Sequence, residues 1–482
     1  MHIGSEKEIL RAGMSEGLQL AGKRALVVGL RRTGVAVARF LLARGADVIV
    51  TDKASVTELR EQLELLTGLA IRTELGEHRP ETFQQADLIV VSPGVPHTLE
   101  PLAAARDRGV PVIGEIELAA RFIREPILAV TGTNGKTTTT ELVGEMLKRS
   151  GLRVFVGGNI GNPLIGRVAQ SEPLDLVVAE ISSFQLDTTE TFRAQVAVLL
   201  NITADHLDRY PDFEAYTASK FRIFENQQPA DVAVINLADP VIRRLAHRIK
   251  SRKLVFGSPT GTDEGAVLEA NRITIRMAPR RSGHEKVGEV DLSGFRLRGR
   301  HNRENACAAC LAALAAGATW EGIQAAINSF EPTPHRIEFV ARVDGVSYYN
   351  DSKATNVDAV ARALESFSRP VVLIMGGRDK GGDFRALTEH VQRHAKHLIL
   401  TGEAAEQIYA VLGHLLPSDL TPSMPAAVRR AHELAVAGEE VLLSPGCASF
   451  DRYANYAERG EDFRRAVMAL GGGKNRSDGV LE

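Results

Sequence analysis

Short apolar runs rich in Val, Ile and Leu alternate with amphipathic stretches along most of this chain. RALVVGL at residues 24–30 is followed by GVAVARFLLARG at 34–45 and then by ADVIVTD at 46–52. That alternation predicts strand–helix–strand units in a parallel sheet. It restarts twice. A second series opens with PILAVTG at Pro126 and continues through LRVFVGG, LDLVVAEIS, QVAVLLNIT and DVAVINL, and a third contains RPVVLIMGG, HLILTG and EEVLLSPG. An α/β chain with three sheets, one per series, is expected.

The length supports the same division, since 482 residues at roughly 150 per domain suggest about three domains. Gly114 marks the first boundary, where PVIGEIELAARFIREP leads through a helical stretch to the second series. The second boundary falls at FEPTPHRIEFV, where Pro332 and Pro334 remove two backbone donors and end the Ala-rich helix before them. The expected domains are therefore 1–114, 115–332 and 333–482, with Glu331 to Pro334 as a hinge. Between Gly257 and Arg300 the strand–helix rhythm gives way to short strands around the basic MAPRRSGHEK, read as a mobile surface hairpin; the tail GGGKNRSDGVLE is expected to be loose.

Charge narrows the partners. Basic residues number 58 against 60 acidic ones, a net charge of −2, so nothing is left over to track a nucleic acid or an anionic membrane. The N-terminal MHIGSEKEILRAG lacks the apolar centre of a secretory signal, and the run from Ala306 to Ala318 is too short to cross a bilayer. Three cysteines, Cys307, Cys310 and Cys447, make no disulfide framework. A cytoplasmic protein with no membrane partner is expected, and a monomer is assumed.

The strongest local signal is PILAVTGTNGKTTTTELVGEML, a strand, a Gly/Asn turn, then Lys136 and Thr137 opening a helix. Backbone N–H groups around Gly132, Thr133, Asn134 and Gly135 can cradle phosphate oxygens, Lys136 can neutralise them, and the Thr137 hydroxyl can reach a magnesium ion. The strict P-loop pattern asks for glycine at position 130, where the chain has Val130. Glu180 ends the strand LDLVVAE, from which a carboxylate can face the phosphates. Asp205 and His206 follow another strand. Magnesium prefers oxygen, so His206 beside Glu180 leaves a further oxygen ligand wanting; alternatively His206 caps the next helix.

TGTNGKTTT, GGNIG, AEISSFQLD, NITADHLDRY, the lysine of YTASKFRIF, HNREN, PHRIE, NDSKATN, GGRDKGGDF and SPGCASFDRY occur in this order. A chain carrying them resembles a Mur ligase from about Lys23 to about Phe463. The resemblance implies a Rossmann-like N-terminal domain for a UDP-linked substrate, a central P-loop ATPase domain with a parallel sheet, and a Rossmann-like C-terminal domain. The P-loop and HNREN elements are common to the family and, more loosely, to folylpolyglutamate synthases. NDSKATN, GGRDKGGDF and SPGCASFD point to the member that adds D-glutamate.

The implied chemistry is an ATP-dependent amide bond. A substrate carboxylate takes the γ-phosphoryl group, and the amine of D-glutamate displaces phosphate through a tetrahedral intermediate. UDP-N-acetylmuramoyl-L-alanine and D-glutamate are the implied partners; ATP and two magnesium ions are the implied cofactors. By resemblance Lys136, Thr137, Thr138 and Glu180 surround the ATP phosphates and one magnesium. His206 and Lys220 hold the second magnesium, Lys220 as a carbamate that supplies the wanted oxygen. Asn302 faces the adenine, and His335 and Arg336 approach ATP from the third domain. Asn159 orients the muramoyl substrate, while Thr33, Asp52, Ser92 and Gly94 become candidates for the UDP moiety. Thr355, Lys380, Ser449 and Phe450 match the D-glutamate pocket. Tyr456 stands where the family usually has Phe, and Gly446 where Ala is common.

The first domain departs from a dinucleotide fingerprint. GLRRTG puts Arg31 where the second glycine would allow a pyrophosphate to approach the backbone, so a NAD site is disfavoured despite Asp52 at the end of the next strand. Arg31 either pairs with a diphosphate or points to solvent. Cys307 and Cys310 read as core packing, Cys447 as a bystander, and Trp320 as packing at a helix junction. The competing functions are another carboxylate–amine ligase of the same superfamily, a different Mur ligase or a folylpolyglutamate synthase, and a P-loop protein that only switches partners.

Overall fold

Runs such as LVVAE and VVLIMG carry no alternation because parallel strands covered by helices bury both faces, and every residue of both runs is buried. The computed structural model describes residues 18–96, 98–170, 172–257, 264–278, 286–331 and 334–471. The N-terminal segment, the tip of the basic hairpin, Pro332 of the expected hinge and the tail beyond Gly471 lie outside them.

The first sheet has β1 (Arg24–Val28), β2 (Asp47–Asp52), β3 (Ile71–Leu75), β4 (Leu88–Val91) and β5 (Val112–Gly114), all parallel in the order β3-β2-β1-β4-β5. It is a doubly wound arrangement, with helix α1 (Arg32–Ala43) following β1. After β5 comes helix α2 (Glu115–Ala120), as the sequence predicts. Glu117 on α2 accepts hydrogen bonds from the backbone N–H groups of Glu190, Thr191 and Phe192, at 2.9–3.1 Å, and from the Thr191 hydroxyl. The linker is thereby tied to the second sheet.

That second sheet contains β6 (Ile127–Thr131), β7 (Val154–Gly158), β8 (Leu176–Glu180), β9 (Val196–Leu199), β10 (Val232–Asn236), β11 (Arg252–Phe256), β12 (Gly265–Glu269), β13 (Arg272–Met277) and β14 (Lys286–Asp291). Their order is β14-β13-β12-β11-β10-β9-β6-β8-β7. The strands are parallel up to β12, whereas β12, β13 and β14 pair antiparallel. The expected parallel sheet thus carries a three-strand antiparallel edge, which is where the short-strand excursion goes. The chain moves from β6 outward to β7, returns to β8, and then crosses to β9 on the other side of β6. Helix α3 (Lys136–Arg149) follows β6 and opens at that reversal, the usual place for a ligand crevice in such sheets.

The third sheet comprises β15 (Glu338–Val343), β16 (Val346–Asn350), β17 (Val371–Gly376), β18 (Ala395–Thr401), β19 (Ser418–Leu420) and β20 (Glu440–Leu443), in the order β15-β16-β20-β17-β18-β19. Only β15 runs antiparallel to its neighbour. Apolar clusters cover both of its faces, one around Leu373, Leu398 and Leu442, the other around Val372, Ile374 and Phe463. The chain forms two compact units: the first two sheets make one, and the third sheet makes the other together with the segments Thr203–Phe213 and Gly294–Glu304.

Candidate active site

The turn after β6 is built for anions. Gly135, the residue before α3, has φ +85, the left-handed region that glycine enters without strain. A Cβ there would also lie 2.4 Å from Oδ1 of Asn305, which is buried. Asn201, just past β9, braces the loop from the other side: its Oδ1 accepts from the N–H of Asn134 at 2.8 Å and its Nδ2 donates to the Asn134 carbonyl at 3.0 Å. Thr133 Oγ1 and the Tyr216 hydroxyl share a hydrogen bond of 3.0 Å. The loop backbone is therefore fixed from outside at the head of a 14-residue helix, whose N-terminus favours an anion.

Two lysines converge on this loop. Lys136 Nζ donates to the carbonyls of Gly132 and Thr133 at 2.9 and 2.7 Å, and Lys220 Nζ donates to the same Gly132 carbonyl at 2.8 Å. Lys220 is buried, with Nζ 4.6 Å from the Tyr216 ring centroid. Two ammonium groups on one carbonyl beneath a helix N-terminus create a demand for negative charge.

Glu180 lies at the same edge of the sheet. Its register partner is Val130, which puts it one strand over from the loop. Its Oε1 accepts from Asn159 Nδ2 at 2.8 Å, while Oε2, buried, has no hydrogen-bond partner. An orphaned carboxylate oxygen is costly unless a cation uses it, so the donor set of Glu180 and the buried Thr137 fits a nucleotide-bound magnesium. No cluster of three or more His, Cys, Asp or Glu side chains suited to a metal occurs among the described residues; a further oxygen is still wanted beside Lys220. His206 is described with the other unit, at φ 55.

In the first domain Asp52 is held by backbone, accepting from the N–H groups of Leu30 at 2.6 Å and Ala54 at 2.8 Å. Ser92 donates to the Gly29 carbonyl at 2.9 Å. A Cβ on Gly34 would lie 2.0 Å from that same carbonyl, so the last glycine of GLRRTG is needed for close packing of α1. Arg31 is exposed, and its neighbour Arg32 donates from Nη2 to Asn162 Oδ1 at 2.7 Å, next to the GGNIG loop. Thr33 lies in the first turn of α1, and Gly94 in the turn after β4.

In the other unit Thr355 and Lys380 line a recess of about 280 Å³, open mouth included, with Asp205, Asn356, Asp379 and Gly446. Lys380 Nζ donates to Asp205 Oδ1 at 2.9 Å and Asn356 Nδ2 to Asp205 Oδ2 at 3.0 Å. Burial alone would push the Asp205 carboxyl up, but the charges of Lys380 and His206 and these hydrogen bonds hold it down at about 2. Ser449 is buried, Phe450 is exposed, and Tyr456 begins the helix Tyr456–Gly471; none of the three lines the recess. His335, buried at φ 66, shares a 2.9 Å hydrogen bond with Asn350. Asn302 donates to the Arg298 carbonyl at 2.7 Å.

Four residues that shape these sites were given no role of their own by the sequence, although three stand inside the motifs quoted above. Asn201, the first residue of NITADHLDRY, and Asn305, the last of HNREN, brace the phosphate loop. Asn356 follows Thr355 and pairs with Asp205. Arg459, 2% exposed, donates to the carbonyls of Ser352, Gly376 and Cys447, so it laces three loops of the third sheet together. Cys447 is buried and its thiol is pushed up to about 12 by that burial, as befits a bystander; Cys307 and Cys310 are buried too. Trp320 begins a helix and packs on Gly288.

Three family models match this chain: the Mur ligase MurD-like N-terminal domain over residues 23–114, the Mur ligase middle domain over 130–313, and the Mur ligase glutamate ligase domain over 335–447. In chain order a MurD-like domain, a phosphate-loop domain and a glutamate ligase domain define the class, and the chain belongs to the Mur ligase family. Its similar relatives are narrower than that. Proteins of Desulfosudis oleivorans and Desulfatibacillum aliphaticivorans are each 52% identical over 94% of this chain and 98% and 100% of their own length, and one of Geotalea daltonii is 49% identical over 95% and 100%; all three are named UDP-N-acetylmuramoylalanine--D-glutamate ligase. The fold is shared with a pseudomurein peptide ligase type C from Methanothermus fervidus (20% identity, TM-score 0.59, 93% of this chain and 100% of that one). It is shared also with a MurF ligase from Thermotoga maritima in complex with ADP (17%, TM-score 0.60, 96% and 99%).

Proposed function

We infer that this chain joins D-glutamate to UDP-N-acetylmuramoyl-L-alanine at the expense of ATP, a step of peptidoglycan precursor synthesis. The observation that carries this is the 45–52% identity, over nearly the whole chain, to relatives that bear that activity in their names. The three sheets fit the division 1–114 for the UDP-linked substrate, 115–332 for ATP and 333–482 for D-glutamate. No helix among the described residues is long and apolar enough to cross a membrane; that the enzyme is monomeric and cytoplasmic is part of the proposal.

The carboxylate of the muramoyl substrate is a poor electrophile. Transfer of the γ-phosphoryl group turns one of its oxygens into a leaving group; the D-glutamate amine then attacks, and the tetrahedral intermediate expels phosphate. In this reading the loop from Gly132 to Thr138 cradles ATP, and Lys136 turns from the loop carbonyls to the phosphates. Magnesium, when bound, supplies charge neutralisation at the transferring group. Thr137 and Glu180 would hold one ion, and His206 with a carbamylated Lys220 the other. A carbamate also suits the local charge, because it replaces one of two crowded ammonium groups by an anion. Asn159 presents the muramoyl group beside Glu180, and Thr33, Asp52, Ser92 and Gly94 receive UDP. Asn302, His335 and Arg336 contact ATP, and Thr355, Lys380, Ser449, Phe450 and Tyr456 contact D-glutamate.

The test is phosphate release and product mass with ATP, UDP-N-acetylmuramoyl-L-alanine and D-glutamate, each omitted in turn. Turnover that needs all three is expected. Turnover without the muramoyl substrate, or equal use of lysine or diaminopimelate as acceptor, would overturn the assignment.

A further inference from the structure

Lys380, the cation proposed for a D-glutamate carboxylate, is already neutralised within its own unit. Its partner is Asp205, 2.9 Å away, and the side chains are only 17% and 8% exposed. Asp205 is not held by Lys380 alone. Asn356 donates to its Oδ2 at 3.0 Å and the N–H of His206 to its Oδ1 at 2.9 Å, while the His206 ring nitrogen Nε2 lies 3.7 Å from Oδ2. The other carboxylate of the recess, Asp379, is engaged differently, by the N–H of Gly382 at 2.9 Å and by Gln407 at 3.2 Å, both within its own neighbourhood. Of the two acids, only Asp205 is ion-paired to the lysine.

A buried carboxylate that loses its cation is left with an uncompensated charge. If Lys380 turns to a carboxylate of the amino acid, something positive must take its place at Asp205. D-glutamate brings that charge itself, since it arrives as an ammonium with two carboxylates. We propose that Asp205 is the receptor for the amino group of the acceptor: the Lys380–Asp205 pair opens, Lys380 takes a carboxylate, and Asp205 takes the ammonium. The exchange trades one ion pair for two. Selectivity follows, because a ligand with carboxylates but no amine has to separate the pair and leave Asp205 bare, and an amine without a suitably placed carboxylate leaves Lys380 bare. Asp205 thereby fixes the position of the nitrogen, whose ammonium gives up a proton to solvent before its lone pair attacks.

This inference rests on the reading of the recess as the D-glutamate site, and the experiment separates the two. The probe is glutarate, which has the same two carboxylates and no amine, used as a competitor of D-glutamate at saturating ATP and muramoyl substrate. Asp205→Asn keeps the shape and one of the two acceptor oxygens while removing the charge. It is expected to raise the KM for D-glutamate about tenfold or more, the scale of one charge-assisted hydrogen bond. The same change frees Lys380, so inhibition by glutarate should tighten, or appear where the native enzyme shows none. Opposite signs for the two ligands cannot come from a merely damaged pocket. Parallel weakening of both, an unchanged KM for D-glutamate, or glutarate inhibition that does not improve would overturn the proposal, and Asp205→Ser, smaller and equally uncharged, must give the same signs. Lys380→Ala is the control: weakening of both ligands upholds the amino-acid site, and no effect on either defeats the underlying reading itself.

Discussion

Glu115 is a carboxyl in the wrong place for a charge. It begins α2 with its side chain buried; Oε1 accepts from the N–H of Ile165 at 2.6 Å, and Oε2 has no partner. Desolvation pushes its pKa up from 4.5 to about 7, against the lowering effect of the Ile165 and Leu164 amides. In the unfolded chain the proton leaves near 4.5; in the folded protein it stays until about 7. Between those values the folded state binds more protons, so stability falls as pH rises through the window and levels off above it. At about 1.4 kcal/mol for each pH unit from 4.5 to about 7, the loss is about 3 kcal/mol. Glu115→Gln has nearly the same shape and cannot ionise. The variant should therefore melt close to the native protein at pH 5 and clearly above it at pH 8. At roughly 2–4 °C per kcal/mol for a domain of 150–250 residues, the gap should grow by roughly 6–12 °C. Differential scanning fluorimetry across pH 5–8 reads it directly. A gap that does not change with pH would refute the reasoning, and a native advantage that grows with pH would mean that Glu115 is ionised against a cation.

Three further outcomes are expected. Gly135→Ala forces a side chain into the left-handed region, at roughly 1 kcal/mol or more, and drives Cβ to within 2.4 Å of Asn305 Oδ1; calorimetric ATP affinity should drop about 5- to 30-fold, and an unchanged value would show that the loop tolerates it. Lys380→Ala should raise the KM for D-glutamate at least roughly tenfold with the KM for ATP little altered, and steady-state kinetics would expose the opposite pattern. Lys220→Ala should abolish most turnover, with partial recovery on adding bicarbonate or a short-chain carboxylate; an unmodified Lys220 in a high-resolution structure of an active magnesium complex would count against the carbamate.

The strands were legible because doubly covered parallel sheets write themselves as unbroken apolar runs, and the phosphate loop because its turn, lysine and helix are contiguous. What sequence could not show are pairings made by topology. Asp205 and Lys380 are 175 positions apart, and nothing in either neighbourhood announces the other. Asn201 and Asn134 meet only because β9 lies beside β6. Of the central sheet's antiparallel edge, the hairpin around the charged turn was legible, but not that its strands join the parallel sheet through β12. Arg31 was left open by the sequence; the structure leaves its side chain exposed, and Gly34 rather than Arg31 is the residue whose size the loop limits.

The position of β20 has a consequence for biosynthesis. The last of the described strands in chain order sits in the middle of its sheet, between β16 and β17, so the hairpin of β15 and β16 and the ladder of β17 to β19 have no shared hydrogen bonds until residues 440–443 emerge. A ribosome stalled short of Glu440 would display two half-sheets with raw inner edges, open to pairing with any passing strand. Quality control therefore has one late moment to watch: the nascent third domain stays a substrate for chaperones and proteases until residues 440–443 are inserted between β16 and β17.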